Sequence, residues 1–266
     1  MNARLKIANR TDIGKIRKIN EDRSAVLPEL NGYALALVAD GMGGHQAGDV
    51  ASRMAADIIC GELSRRRHEL PGNSLEKVLL EAIRKANDDV YAFSNSQASY
   101  YGMGTTVVAA IASVREATIG HIGDSRAYLY RAADGGLIQL TEDHSLVNEL
   151  LRSGQITEEE AATHPRRNVL TRALGTDPQV EVDIERVEWG PRDILMLCSD
   201  GLSGLVSGEE LLGILASSDD LEAKADRLVQ SALDAGGEDN ITVVLLANED
   251  NQGRDEVQPT QEGGAP

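Results

Sequence analysis

Apolar residues along the chain recur with two different periods, and these predict both strands and helices. Two apolar runs end at Asp40-Gly41 and at Asp200-Gly201, and each is typical of a buried strand. From 46 to 93, apolar residues recur every three or four positions, which predicts one helix over 46–70 and a second that begins after Ser74 as its N-cap. β-branched and aromatic residues predict further strands over 105–111, 117–122, 126–131, 137–140, 180–189, 194–199 and 241–247.

The remaining segments are more polar. Residues 141–175 predict short helical pieces that form a small flap. Thr157-Glu-Glu-Glu160 and Ser207-Gly-Glu-Glu210 both match the capping-box pattern, and helices are predicted over 211–216 and 221–233. Since strands and helices are grouped rather than alternating, the fold class is predicted to be α+β, with layered sheets and helices outside.

Composition narrows the class of protein. The 266 residues fit one large domain or two small ones, and 41% are apolar, which is enough for a core. The formal net charge of −17 argues against a nucleic-acid partner. Two cysteines without paired spacing indicate a reducing compartment. Without an apolar stretch near membrane-spanning length or a signal peptide, we expect a cytoplasmic protein with no membrane partner.

The end of the chain differs from the rest in composition. Residues 249–266 hold five acidic side chains against one arginine, together with proline, glycine and glutamine. Such a segment cannot bury enough apolar surface to fold, so we predict a disordered acidic tail over 249–266. The folded domain is accordingly predicted over 1–248.

Acidic residues stand beside the predicted strands in a repeated pattern. Asp40, Asp124, Asp200 and Asp239 each lie next to a strand end, and Asp22 precedes the strand that leads to Asp40. Any one of them alone is better explained as a turn or cap residue. If the strand ends converge, however, so many carboxylates require a cation, and oxygen ligands without cysteine select Mg²⁺ or Mn²⁺. The combined pattern predicts a two-metal site.

Six short motifs resemble those of a known family. The six motifs occur in the same order as in the metal-dependent protein phosphatases of the 2C type, and they resemble the bacterial members most closely. The motifs are RKINED at 17–22, VADGMGG at 38–44, GMGTT at 102–106, IGDSR at 122–126, CSDG at 198–201 and EDNIT at 238–242. The resemblance spans about residues 8–247 and implies a four-layer α-β-β-α sandwich of two antiparallel sheets flanked by helices.

The resemblance also implies the ligands of two metal ions. Asp40 would bridge both ions, and the carbonyl oxygen of Gly41 would bind one. Asp200 and Asp239 would be direct ligands. Asp22 would take part in catalysis and metal binding, acting directly or through a metal-bound water.

Other residues receive roles from the same resemblance. Glu21 would sit near the metals, and Asp124 would hold a third, weaker one. Arg17 would be catalytic by gripping the substrate phosphate, since a guanidinium can bind two phosphate oxygens. Met42 stands where eukaryotic members have a histidine proposed as general acid. His45 lies near enough to be considered for that role, although a histidine with no proton-transfer task explains it as well.

The function that the resemblance implies is hydrolysis of phosphoserine and phosphothreonine monoesters on proteins, by attack of a metal-bound water or hydroxide. The implied partners are phosphorylated proteins, among them a bacterial serine/threonine kinase and its substrates, and a monomer is expected. One alternative is a catalytically silent phosphoprotein-binding module on the same fold, which would usually lack a carboxylate or Arg17. Another is a metal-dependent phosphodiesterase of a different lineage, which the charge and the motif order disfavour.

Overall fold

The computed structural model describes residues 5–43, 47–70 and 74–249. His45 and residues 250–266 of the predicted tail lie outside the described residues. Two antiparallel sheets are formed by the strands β1 (Leu5–Asp12), β2 (Asp22–Leu27), β3 (Ala34–Met42), β4 (Gly104–Thr105), β5 (Val107–Ala112), β6 (Glu116–Ile122), β7 (Arg126–Arg131), β8 (Gly136–Gln139), β9 (Asp183–Glu188), β10 (Ile194–Cys198) and β11 (Ile241–Asn248).

Strand order brings distant parts of the chain together. One sheet has the order β1-β11-β10-β7-β8, and the other has the order β2-β3-β5-β6-β9, with β4 paired to β3. Every pair in both sheets is antiparallel. The first sheet therefore joins the start of the described chain to its last strand.

Helices cover the outer face of each sheet. The helices are α1 (Ala47–Arg65), α2 (Leu75–Ser96), α3 (Leu146–Arg152), α4 (Glu158–Ala162), α5 (Asp200–Ser203), α6 (Gly208–Leu215) and α7 (Leu221–Asp234). The core side chains of α1 and α2 pack on the β3-β5 side, and those of α6 and α7 pack on β10 and β11. A third core fills the space between the sheets. The predicted four-layer α-β-β-α sandwich is confirmed.

Central strands are buried on both faces, which explains their unbroken apolar runs. In β3, Leu35 and Leu37 face the helices, while Ala36 and Val38 face the other sheet. The same alternation occurs in β11, where odd-numbered residues pack on the helices and even-numbered residues between the sheets. The small residues on the inner face of β3 allow the two sheets to approach closely.

Several predicted boundaries differ from the structure. The first helix ends at Arg65 rather than at residue 70. Ser74 is an N-cap by position, but its side chain accepts no capping hydrogen bond. Thr157 forms the predicted capping box with Glu160. Ser207 accepts a hydrogen bond from the Glu210 N–H, and no return bond from the Glu210 side chain is found among the described residues, so this box is half formed.

The segment 141–175 crosses one end of the two sheets. It contains α3 and α4, and isolated bridges join Ser145 to Leu170 and Thr105 to Leu174. Its residues Asn168 and Leu170 line the cleft described below. Within the described residues, no helix is both long enough and apolar enough to cross a membrane.

Candidate active site

Strand pairing places two acids side by side. The register of β2 and β3 puts Asp22 directly opposite Asp40. Side chains of such a pair lie on the same face of the sheet with their Cβ atoms about 5 Å apart, and like charges in this position are destabilising. This pairing therefore concentrates negative charge unless a cation is present.

Three further acids reach the same end of the sandwich. Asp200 follows β10 and Asp239 precedes the neighbouring antiparallel strand β11, so both lie at the same end of that sheet. Asp124 follows β6 of the other sheet. All three help to line one cleft of about 220 Å³, here called the carboxylate cleft, whose wall residues are Arg17, Glu21, Asp40, Gly41, Met42, Gly43, Thr106, Asp124, Asn168, Leu170, Asp200, Asp239 and Asn240.

Several buried oxygen atoms in the wall of this cleft or directly behind it lack a hydrogen-bond partner. Asp22 is only 1% exposed; its Oδ2 accepts a hydrogen bond from Ser199 Oγ at 2.7 Å, whereas its Oδ1 has no partner. Oδ1 of Asp200 and Oε1 of Glu21 are likewise buried and unpaired. An unsatisfied buried polar atom costs roughly 1–3 kcal/mol, and more when charged. These three oxygens therefore favour a bound cation.

The electrostatics agree with this interpretation. Burial, followed by the charges of Asp200 and Asp239, raises the pKa of Asp22 to about 7. Burial and the neighbouring Asp200 raise the pKa of Asp124 to about 8. Burial and the surrounding carboxylates also raise the pKa of Asp40 well above its usual range. Several acids that resist ionisation together form a site that a multivalent cation would stabilise.

Close backbone packing holds Asp40 and Gly41 in place. Thr106 Oγ1 accepts a hydrogen bond from the Asp40 N–H at 3.0 Å, and Thr105 Oγ1 donates to the Asp40 carbonyl at 2.8 Å. A Cβ atom at Gly41 would lie 2.1 Å from the carbonyl oxygen of Gly48, so only glycine fits there. Gly41 is therefore required for close packing against α1 and does not form a hairpin turn.

Arg17 and Asn240 link the N-terminal segment to the turn before β11. Arg17 Nη2 donates to Asp239 Oδ2 at 2.6 Å, which holds the guanidinium at the wall of the cleft. Asn240 Oδ1 accepts from the Glu21 N–H at 2.8 Å, and its Nδ2 donates to the carbonyls of Ile13 and Ile19. The side chain of Asn240 therefore fixes the position of the segment that carries Arg17.

The structure brings together nearly all the predicted site residues. Arg17, Glu21, Gly41 and the acids of the strand ends line the cleft, while Asp22 lies behind its wall rather than in it.

Sequence reasoning assigned no role to Thr106, Ser199, Asn168 or Asn240. Three of these stand inside or beside the quoted motifs, which was the available signal. Asn168, in the 141–175 segment, had no comparable signal.

A second group of possible ligands lies outside the cleft. Within the described part of the chain, only His121, His144 and Asp183 offer three ligand atoms that are all within 4.8 Å of one another. We call these three residues the histidine cluster. The carboxylates of the cleft are more widely spaced, which suits hard cations that keep several of their waters.

Hydrogen bonds in the histidine cluster disfavour a metal there. His144 Nδ1 accepts from the Gly123 N–H at 3.1 Å, so its Nε2 carries the proton and donates to Asp183 Oδ2 at 3.0 Å. The guanidinium of Arg172 already lies 3.1 Å from Asp183 Oδ1. His144 has no free lone pair, and a cationic side chain already balances the acid. The His121 ring packs against the His144 ring at 35°, with centroids 4.6 Å apart, and its two buried nitrogens have no hydrogen-bond partner among the described residues.

Comparisons with known proteins agree with the geometry of the cleft. The family model described as "Protein phosphatase 2C" matches residues 17–245. The serine/threonine phosphatase stp of Listeria monocytogenes is 45% identical over 247 residues, which cover 92% of this chain and 97% of the relative. The protein phosphatase PhpP of Streptococcus pneumoniae is 37% identical, with 91% and 97% covered.

Solved structures show the same similarity. The serine/threonine phosphatase PstP/Ppp of Mycobacterium tuberculosis superimposes with a TM-score of 0.82 at 39% identity, over 92% of this chain and 99% of that one. The catalytic domain of PstP in complex with two manganese ions has a TM-score of 0.80 at 38% identity, over the same shares of the two chains.

Proposed function

The chain belongs to the protein phosphatase 2C family, and from this premise we propose that it is a Mn²⁺- or Mg²⁺-dependent phosphatase of phosphoserine and phosphothreonine in proteins. One observation carries the proposal: carboxylates from both sheets and one arginine line a single cleft, and three buried oxygens in its wall or directly behind it are unpaired. The manganese-containing structural neighbour and the named phosphatase relatives support it.

The residues of the cleft fit two divalent cations. Asp40, the Gly41 carbonyl, Asp200 and Asp239 would hold them. Asp22, whose unpaired Oδ1 is buried behind the cleft wall, would act through a water. When bound, such cations supply an activated water and neutralise negative charge on the phosphate.

Two other acids, Glu21 and Asp124, would also take part in cation binding. Glu21 has a buried, unpaired Oε1 near the backbone of Gly48 and would bind the cations through water. Asp124 lines the cleft from the other sheet and would hold a third, weaker cation.

Arg17 is the group that would bind the substrate phosphate. Its side chain is 46% exposed, and it already points into the cleft through the bond to Asp239. A phosphate monoester entering the cleft offers the guanidinium two oxygens in place of that carboxylate. Arg17 would then neutralise charge that develops on the equatorial oxygens and orient the phosphorus for in-line attack.

The leaving alkoxide needs a proton, and no histidine lines the cleft among the described residues. Met42 lies at the wall, but its thioether has no proton to donate. Water is therefore the proposed proton donor, and His45 remains a prediction outside the described residues.

The proposal includes the organisation and partners of the protein. A catalytic domain would span 1–248, with 141–175 acting as a flap over the cleft. Phosphorylated proteins, among them a serine/threonine kinase and its substrates, would be the partners of a cytoplasmic monomer. Size-exclusion chromatography with light scattering tests the monomer.

The activity test uses the full chain after treatment with EDTA. Phosphate release from p-nitrophenyl phosphate and from a phosphothreonine peptide should be absent in EDTA and should return with Mn²⁺ or Mg²⁺. Binding of the peptide without phosphate release under any divalent cation would instead favour the silent binding module. Preferential cleavage of bis(p-nitrophenyl) phosphate would favour the phosphodiesterase.

A further inference from the structure

The segment Ile13–Ile19, which carries Arg17, exposes an unusual number of apolar side chains. Ile13 is 39% exposed, Ile16 68% and Ile19 39%, and these are half of the six exposed large apolar residues among those described. A single exposed apolar side chain needs no explanation, whereas a group marks an interaction surface. We call Ile13–Ile19 the Arg17 segment.

The exposure does not come from a loosely held backbone. The Lys15 N–H donates to the Gly237 carbonyl at 2.7 Å, and Asn240 Nδ2 donates to the carbonyls of Ile13 at 2.9 Å and Ile19 at 3.1 Å. Gly14 has φ +78°, and a Cβ atom there would lie 2.2 Å from the Asp239 carbonyl oxygen. The segment is anchored at both ends, so its isoleucines are held in place before any partner binds, which lowers the entropic cost of binding.

Charge on the Arg17 segment is opposite to that of the whole chain. Lys15 and Lys18 are exposed, and neither forms an ion pair with any of the residues that the structure describes. They flank Arg17 on a chain of net charge −17. Two free ammonium groups beside exposed isoleucines fit a ligand that combines carboxylates with large apolar side chains.

The position of the Arg17 segment beside the carboxylate cleft indicates which ligand binds to it. Arg17 lines the carboxylate cleft, and Asn240, which holds the ends of the segment, lines it as well. The Arg17 segment therefore borders the place where the phosphate of a polypeptide would enter the cleft.

We propose that the Arg17 segment binds the polypeptide next to the phosphorylated residue and selects substrates with a large apolar residue and a carboxylate there. This inference rests on the proposed phosphatase function. Ile16 is the main apolar contact, because it is the most exposed of the three, and Lys15 and Lys18 bind the substrate carboxylate.

The test compares two phosphothreonine peptides with the Mn²⁺-loaded full chain. The matched peptide has leucine and glutamate beside the phosphothreonine, and the unmatched peptide has serine and lysine. In Ile16→Ser, kcat/KM for the matched peptide should fall about tenfold, mainly through KM, as expected for one lost apolar contact. Turnover of p-nitrophenyl phosphate should stay unchanged, because this small ester presents its phosphate to Arg17 but has no neighbouring residue that could contact Ile16.

Control variants separate this contact from general effects. Ile138→Ser removes an exposed isoleucine of β8 and should leave both peptides unaffected. The double variant Lys15→Gln/Lys18→Gln should raise KM for the matched peptide and make this KM less sensitive to salt. Circular dichroism checks that each variant is folded.

Three outcomes would overturn the inference. Equal kcat/KM for both peptides with the unaltered chain would show no selection. An equal loss on p-nitrophenyl phosphate and peptide in Ile16→Ser would show an effect on the cleft itself. A change of oligomeric state in Ile16→Ser would assign the isoleucines to self-association. Absence of p-nitrophenyl phosphate turnover by the unaltered chain would instead contradict the proposed function.

Discussion

The carboxylate cleft and the histidine cluster both gather ionisable side chains at the same end of the molecule, but they solve the problem of buried charge differently. In the cleft, Asp22 and Asp200 keep unpaired oxygens, and burial raises their pKa values. In the cluster, Asp183 is matched by Arg172 and by the His144 N–H. Burial alone would raise the pKa of Asp183, but the hydrogen bond from His144 and the charge of Arg172 lower it.

This difference shows why close spacing alone does not identify a metal site. The histidine cluster has the shorter distances, yet the ligand atoms of His144 and Asp183 are already used in hydrogen bonds, and only the ring nitrogens of His121 are unpaired among the described residues. The cleft has wider spacing but leaves oxygen lone pairs free, which is what a hydrated hard cation requires. Unpaired buried oxygens are therefore the more informative signal here.

The largest expected effect comes from removing one acid from each region. Asp40→Asn should lower kcat by about a hundredfold or more, because it deletes a carboxylate that would hold the proposed cations. Asp183→Asn, the matched change in the histidine cluster, should leave kcat within about threefold. Initial rates on p-nitrophenyl phosphate at saturating Mn²⁺ measure both. Equal losses in the two variants would remove the distinction between the regions.

Cation binding should stabilise the folded protein through the carboxylate cleft and not through the histidine cluster. Addition of Mn²⁺ to the EDTA-treated chain, at about thirty times its Kd, should raise the free energy of unfolding by about 2 kcal/mol. The gain should persist in Asp183→Asn and should shrink strongly in Asp40→Asn. Urea denaturation with and without Mn²⁺ provides the measurement. A gain that disappears in Asp183→Asn but not in Asp40→Asn would place the cation in the histidine cluster.

The positions of the acids could be predicted because each follows from local pattern. An apolar strand that ends in Asp-Gly places its carboxylate at a sheet edge whatever the rest of the fold does. The pairing of Asp22 with Asp40 was not predicted, because it depends on the strand β2 and on its register with β3. The family resemblance then implied two antiparallel sheets flanked by helices, which local pattern does not contain, whereas the order of the strands came only from the structure.

Contacts between distant residues could not be predicted in the same way. Asn240 holds Glu21 across a separation of 219 residues, and Ser199 reaches Asp22 across 177. An asparagine or serine beside a motif is compatible with many partners, and only the folded backbone selects one. The half-formed box at Ser207 illustrates the same limit, since the pattern allows the Glu210 side chain to return but does not require it.

The smallest expected effect is the pH dependence of stability in the metal-free chain, where the two regions should act with opposite signs. Folding raises the pKa of Asp124 from 3.8 to about 8, so the folded protein binds this proton more tightly. The stability that this carboxyl contributes is complete below its unfolded pKa and is lost as the pH rises through the folded value.

His121 should behave in the reverse way. Burial, together with His144, lowers the pKa of His121 from 6.5 to about 4. Its contribution is therefore present above pH 6.5 and is lost as the pH falls toward 4. Urea unfolding in EDTA from pH 4.5 to 8.5 measures both effects. Asp124→Asn should remove a decline in stability that runs up to about pH 8 and amounts to on the order of 1 kcal/mol between pH 6.5 and 8, and His121→Gln should remove a rise in stability between pH 4.5 and 6.5. If Asp124→Asn left the alkaline slope unchanged, the carboxylate cleft would not be storing the repulsion that makes it a cation site.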